Sequence, residues 1–176
     1  MDGLILKEPT EAYAEKIEEY RSEFPADRER VTYIPDRIPG LDRLEEYHDA
    51  EAWLRYCAAE KDRVWWYMLL RPSDEYVIGF CCLRRRLEYD DDDIEFASHI
   101  GYSVRPSQQR KGFGKELLRM ALEKARKLGL TRVRLVCSEA NTGSRKVIAA
   151  NGGIYVDSIL GVESGITVFR YDVQLT

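Results

Sequence analysis

The stretch Val104–Lys115 limits the fold more than any other part of the chain. Before it, Ile94, Phe96, Ile100, Tyr102 and Val104 share one face and Glu95, Ala97, His99, Gly101 and Ser103 the other, the period-two pattern of a strand. After it, Phe113–Leu128 has the stripe of an amphipathic helix. Leu117, Ala121, Ala125 and Leu128 recur at spacings of three and four, Leu118 and Leu122 widen the stripe, and Lys115, Glu116, Arg119, Glu123, Lys124 and Lys127 face water. Gly129 is placed to cap its end. Between strand and helix, Gly112 and Gly114 remove side chains where something must approach the backbone. The first turn of a helix carries unpaired N–H groups and the positive end of the dipole, and Arg110, Lys111 and Lys115 add cations around it. A pyrophosphate fits such a place.

Two phosphate-binding patterns can be tested directly. GxxxxGK[ST] fails because Gly114-Lys115 is followed by Glu116 and position 109 is Gln109. GxGxxG fails because its third glycine is Leu117.

Other elements read in order. A helix is expected from Pro9-Thr10 to about Phe24, and an irregular connection over Ala26–Gly40, which holds Pro35, Pro39 and Gly40. A second helix is expected from Leu41 to about Ala59. Val64–Leu70 and Tyr76–Leu83 form a hairpin around the turn composition Arg71-Pro72-Ser73-Asp74. Arg132–Cys137 is a strand, Thr142–Ala150 a short helix, and Ile154–Leu160 and Ile166–Gln174 the closing strands. The order predicts an α+β (mixed α/β) fold around a central, mostly antiparallel sheet. At 176 residues the chain reads as one domain, residues 1–176.

A net charge of −4 argues against broad binding to nucleic acid, though not against a local basic pocket. The acidic run Asp90–Asp93 reads as a solvated loop, or as an attractor of cationic substrates. Cys57, Cys81, Cys82 and Cys137 form no CxxC pair, and only His48 and His99 accompany them, so no metal site is expected. Buried free thiols suit a reducing compartment, and no apolar run approaches a membrane span, so the expectation is a soluble cytoplasmic protein with no membrane partner.

Gln109-x-x-Gly112-x-Gly114 resembles the acetyl-CoA signature of the GNAT acetyltransferase superfamily, [Gln/Arg]-x-x-Gly-x-[Gly/Ala]. Gly101-Tyr102-Ser103-Val104-Arg105-Pro106 is similar to the strand before that loop, and Asn141-x-x-Ser144 with Gly152-Gly153 to its second cofactor-contacting helix and turn. The likeness spans about Ile78 to Gly153, and its wording is closest to a bacterial subgroup of acetyltransferases without an assigned substrate. It implies a sheet with splayed middle strands over residues 64–174, a variable helical acceptor-side part over residues 1–60, and acetyl-CoA as co-substrate. The Val104 N–H would lie at the thioester carbonyl, the backbone of Arg110, Lys111, Gly112, Phe113, Gly114 and Lys115 at the pyrophosphate, and Asn141 and Ser144 at the pantetheine or phosphate end. Asn141 reads equally as a helix N-cap.

The reaction implied is direct attack by an amine on the thioester, which needs a proton acceptor. His99 is the first candidate, with a structural histidine under the sheet as the alternative. Glu95, about 13 Å further along an extended strand, is the second, with an exposed strand carboxylate as the alternative. The family's acid, a tyrosine seven residues after the matching asparagine, is here Ile148. The acceptor is a small-molecule or protein amine that the sequence does not name, and a homodimer is left open. Two other readings stand beside the enzyme: a non-catalytic acetyl-CoA or CoA-binding module, and an unrelated nucleotide-phosphate binder.

Overall fold

The computed structural model describes residues 3–24, 37–87, 97–161 and 165–175. Over these the chain runs β1 (Ile5–Lys7), α1 (Ala14–Ser22), α2 (Ala50–Ala59), β2 (Val64–Arg71), β3 (Tyr76–Arg84), β4 (Ile100–Val104), α3 (Phe113–Lys127), β5 (Arg132–Ser138), α4 (Thr142–Ala150), β6 (Ile154–Leu160) and β7 (Thr167–Gln174). The mixed, antiparallel architecture is the one expected, and α3, α4 and β6 fall where the patterns put them.

Three elements differ from the expectation. The first helix is interrupted: Glu11–Tyr13 makes a tighter 3₁₀ turn before α1 begins at Ala14. The second begins at Ala50 rather than Leu41, because Arg43 is left-handed at φ 66° and Asp49 caps the helix by accepting from the Ala52 N–H at 2.8 Å. β1 carries no readable alternation in its three residues and owes its shape to pairing, with Ile5 opposite Leu70 and Lys7 opposite Met68.

The strands form two antiparallel sheets, in the orders β1-β2-β3-β4 and β5-β7-β6. The first is covered on both faces. On one, Leu117, Leu118, Ala121 and Ala125 of α3 belong to the same core as Tyr67, Leu69, Cys81, Leu83 and Ile100. On the other, Ile17 and Tyr20 of α1 and Trp53 and Leu54 of α2 share a core with Trp66, Met68, Phe80 and Cys82. Double coverage is why β2 and β3 are apolar almost without interruption. All four cysteines are buried free thiols. Among the described residues, no helix is long and apolar enough to cross a membrane, and no three His, Cys, Asp or Glu side chains are grouped to hold a metal.

Candidate active site

The site lies where the two sheets part, between β4 and β5. Bonded pairs alternate along an antiparallel ladder. The Arg84 N–H donates to the His99 carbonyl and the Arg105 N–H to that of Ile78, and both are directly opposed pairs. Ile100, Tyr102 and Val104 therefore turn their backbone groups away from β3. On β5, the bonded pairs Thr131 with Leu175 and Glu139 with Thr167 leave Arg134, Val136 and Ser138 facing away from β7. The two outward rows face one gap. It is closed at His99, whose N–H donates to the Arg134 carbonyl at 2.9 Å while the Arg134 N–H donates to His99 Nδ1 at 2.8 Å. Beyond that point no bond joins β4 to β5 among the described residues, and the Val104 N–H has no acceptor there.

Past Val104 the chain enters the glycine loop. Arg110 is left-handed at φ 64° and Gly112 at φ 86°, and such a backbone concentrates N–H groups on one side. The N–H groups of Arg110, Lys111, Gly112, Phe113 and Gly114 have no acceptor among the described residues, whereas those of Lys115 and Glu116 bond the Gly112 carbonyl. A Cβ on Gly114 would lie 3.4 Å from Val147 and 3.8 Å from Val104, in ordinary contact, so the start of α3 lies against both α4 and the end of β4. From Pro106 to Lys115 there is no acidic residue and there are three cations, Arg110, Lys111 and Lys115. This donor set fits a pyrophosphate. Gln109 is tied inward, its Nε2 donating to the Val104 carbonyl at 3.1 Å, and Lys111 Nζ donates to the Ser107 carbonyl at 2.9 Å.

The far wall is the start of α4. Asn141 is the N-cap, its Oδ1 accepting from the Ser144 N–H at 2.9 Å, which leaves its amide N–H groups free to donate. Ser144 Oγ shares a 2.8 Å hydrogen bond with Tyr102 Oη, a phenol whose pKa is pushed up by burial. Tyr102 thus reaches from β4 to α4. The alternation places it only on one strand face with Ile100 and Val104.

The two candidate bases fare differently. Of the strand expected over Ile94–Val104, Ile94–Phe96 lie outside the described residues, Ala97 and Ser98 carry no regular structure, His99 bends and β4 begins at Ile100. His99 sits at the closed end of the gap, about 16 Å of extended chain from Val104. Burial, with the charges of Arg132 and Arg134, pushes its pKa down to about 4, against the opposing pull of the Arg134 backbone and Asp172. With Nδ1 accepting a hydrogen bond, the neutral ring carries its proton on Nε2 and has no lone pair free for a substrate proton. Glu95 and Asp90–Asp93 lie outside the described residues. Ile148 is fully buried in the core, so no acid stands at that place.

The sequence also hid a support. Arg105, 1% exposed, lies 3.1 Å from Glu19 and 3.2 Å from Glu23 of the α1 end, with its guanidinium 4.4 Å from the Tyr76 ring centre. Glu23 also accepts the Ser107 N–H at 3.1 Å. These contacts fix the exit of β4 and the start of the loop against α1.

Residues 4–154 match the family model of the acetyltransferase (GNAT) domain. The chain belongs to the GNAT acetyltransferase family. The fold of this GNAT protein is similar to that of a ribosomal L7/L12 alpha-N-protein acetyltransferase in complex with coenzyme A, with a TM-score of 0.75, 16% identity, and 99% and 96% of the two chains covered. It is also similar to a ribosomal-protein-S5-alanine acetyltransferase from Vibrio fischeri, with a TM-score of 0.72, 15% identity, and 99% and 94% covered. A spermidine N-acetyltransferase chimera of Vibrio cholerae and human sequence aligns with a TM-score of 0.69, 13% identity, and 98% and 96% covered. Among curated proteins the sequence finds no match.

Proposed function

We propose that this protein binds acetyl-CoA along the gap and the glycine loop and transfers its acetyl group to a primary amine of a small molecule or a protein. The observation that carries this reading is the outward Val104 N–H at the open end of the gap, followed by the five consecutive N–H groups from Arg110 to Gly114, all without an acceptor among the described residues. In this reading the loop, with Arg110, Lys111 and Lys115, holds the pyrophosphate, and Gln109 locks the loop to Val104. The free amide N–H groups of Asn141 and the Ser144 hydroxyl bond the pantetheine end.

Attack by an amine builds negative charge on the thioester oxygen, and the Val104 N–H is aimed to hold it; such a donor is worth roughly 10²–10³ in rate. As the tetrahedral centre collapses, the carbon–sulfur bond breaks and CoA leaves as a thiolate, a fair leaving group without an acid. With the accepting nitrogen of His99 engaged, Glu95, which lies outside the described residues, remains the second sequence candidate for accepting the ammonium proton. We place the protein in the cytoplasm, where its four free thiols stay reduced.

The test is thermal stabilisation by acetyl-CoA, CoA, ATP and NAD, followed by thiol release with spermidine and with peptides starting in Ser or Ala. Ligand at about 100 times its dissociation constant adds roughly 2.7 kcal/mol. Stabilisation by the two CoA species alone supports the reading, and none by either sinks it. CoA binding without thiol release on any amine supports a non-catalytic binding module, to which the buried Ile148 also points.

A further inference from the structure

On a regular antiparallel strand the N–H and C=O of one residue point to the same side. His99 breaks this rule. Its carbonyl accepts from Arg84 of β3 at 2.8 Å, while its N–H donates to Arg134 of β5 at 2.9 Å. One bent residue thus belongs to both sheets. Its ring adds a second bond to the same partner, Nδ1 accepting from the Arg134 N–H at 2.8 Å. Arg134 is itself fixed, its guanidinium paired with both oxygens of Asp172 on β7 at 3.0 and 3.2 Å. Next to it, Ser98 Oγ donates to the Ile100 carbonyl at 2.9 Å and also lies 3.4 Å from the Arg134 carbonyl. Ile100 is the first β4 residue whose backbone faces the gap, so the Ser98 hydroxyl takes the acceptor that β5 would need to continue a ladder. Two side chains therefore stand where backbone bonds would otherwise zip the sheets together.

We propose that His99, with Ser98, is a positioning residue that ends the β4–β5 ladder and so fixes how deep the cofactor gap is and where Val104 stands in it. The inference rests on the acetyl-CoA reading of the gap. His99 touches no reacting atom; it acts through Arg134 and the spread of the two strands. Asn at this position offers Oδ1 close to where Nδ1 now accepts, so it restores the bond that Ala removes.

The experiment is calorimetric titration of CoA into wild type, His99→Ala, His99→Asn and Ser98→Ala, each below its melting temperature, with amide hydrogen exchange read at Arg134. Apparent affinity scales with the fraction of molecules whose gap is correctly spread. His99→Ala should bind CoA roughly tenfold more weakly and lose protection at the Arg134 amide, and His99→Asn should stay within about twofold of wild type. Ser98→Ala should weaken binding in the same direction with its histidine intact, and it decides the matter if His99→Ala does not fold. Wild-type affinity in both Ala variants overturns the proposal, as does an Asn variant no better than Ala. Failure of wild type to bind CoA overturns the reading of the gap instead.

Discussion

Lowering the pH should weaken this fold through His99 by an amount that can be isolated. The ring has a pKa of about 4 in the folded protein against 6.5 for an ordinary histidine, first because it is buried. A group that binds protons more weakly when folded stabilises the neutral form, so its contribution is complete above pH 6.5 and is lost as the pH falls towards 4. Each pH step is worth about 1.36 kcal/mol, which makes the whole interval about 3 kcal/mol, an upper bound because the half-buried ring is partly screened by water. At pH 4.5 the loss attributable to His99 is about 2.5 kcal/mol on the same basis. Protonation also puts a hydrogen on Nδ1 facing the Arg134 N–H, so the bond at the closed end of the gap breaks rather than weakens. The assay is urea unfolding of wild type and His99→Asn at pH 7.0 and 4.5. Every other titrating group is common to both proteins and cancels in the difference. With a slope of about 1–3 kcal/mol per molar urea, wild type should lose about 1 M more of its midpoint than the variant. Equal losses in the two proteins would refute the reasoning, and a larger loss in the variant would reverse its sign.

Gly112→Val should abolish CoA binding in calorimetry, because a β-branched residue cannot hold φ 86° without moving the loop N–H groups; the melting temperature should fall only slightly, since the position is exposed. Gly153→Ala should destabilise by about 1–3 kcal/mol in thermal denaturation, because its Cβ would stand 2.3 Å from Ile148 Cγ2 and 2.9 Å from the Ile148 carbonyl, forcing the end of α4 to shift. Asp42→Asn should cost about 3 kcal/mol in the same assay, since it takes the carboxylate from the buried Arg84 and from the Cys82 thiol that donates to it at 3.0 Å.

What could be read from the sequence was local, and what could not was supplied by partners far along the chain. The loop Gln109–Lys115 and the helix after it were legible because glycine spacing, cations and an apolar stripe act within one contiguous run. The Asn141 cap was legible for the same reason. The second helix shows where local reading overshoots: Leu41, Leu44 and Tyr47 have helical spacing, but they are spaced to meet a shared core, and the start signal was Asp49. His99 shows the deeper limit. Alternation placed it on the polar face of a strand beginning at Ile94, and a polar face near a cofactor gap is where a base belongs. A base there requires a strand that continues straight through His99. It bends because Arg134, far along the chain, takes the His99 N–H that a straight strand would have turned with its carbonyl towards β3. Polar spacing could mark His99 as a residue with a partner; only the meeting of two sheets decides that the partner is a backbone amide rather than a substrate amine.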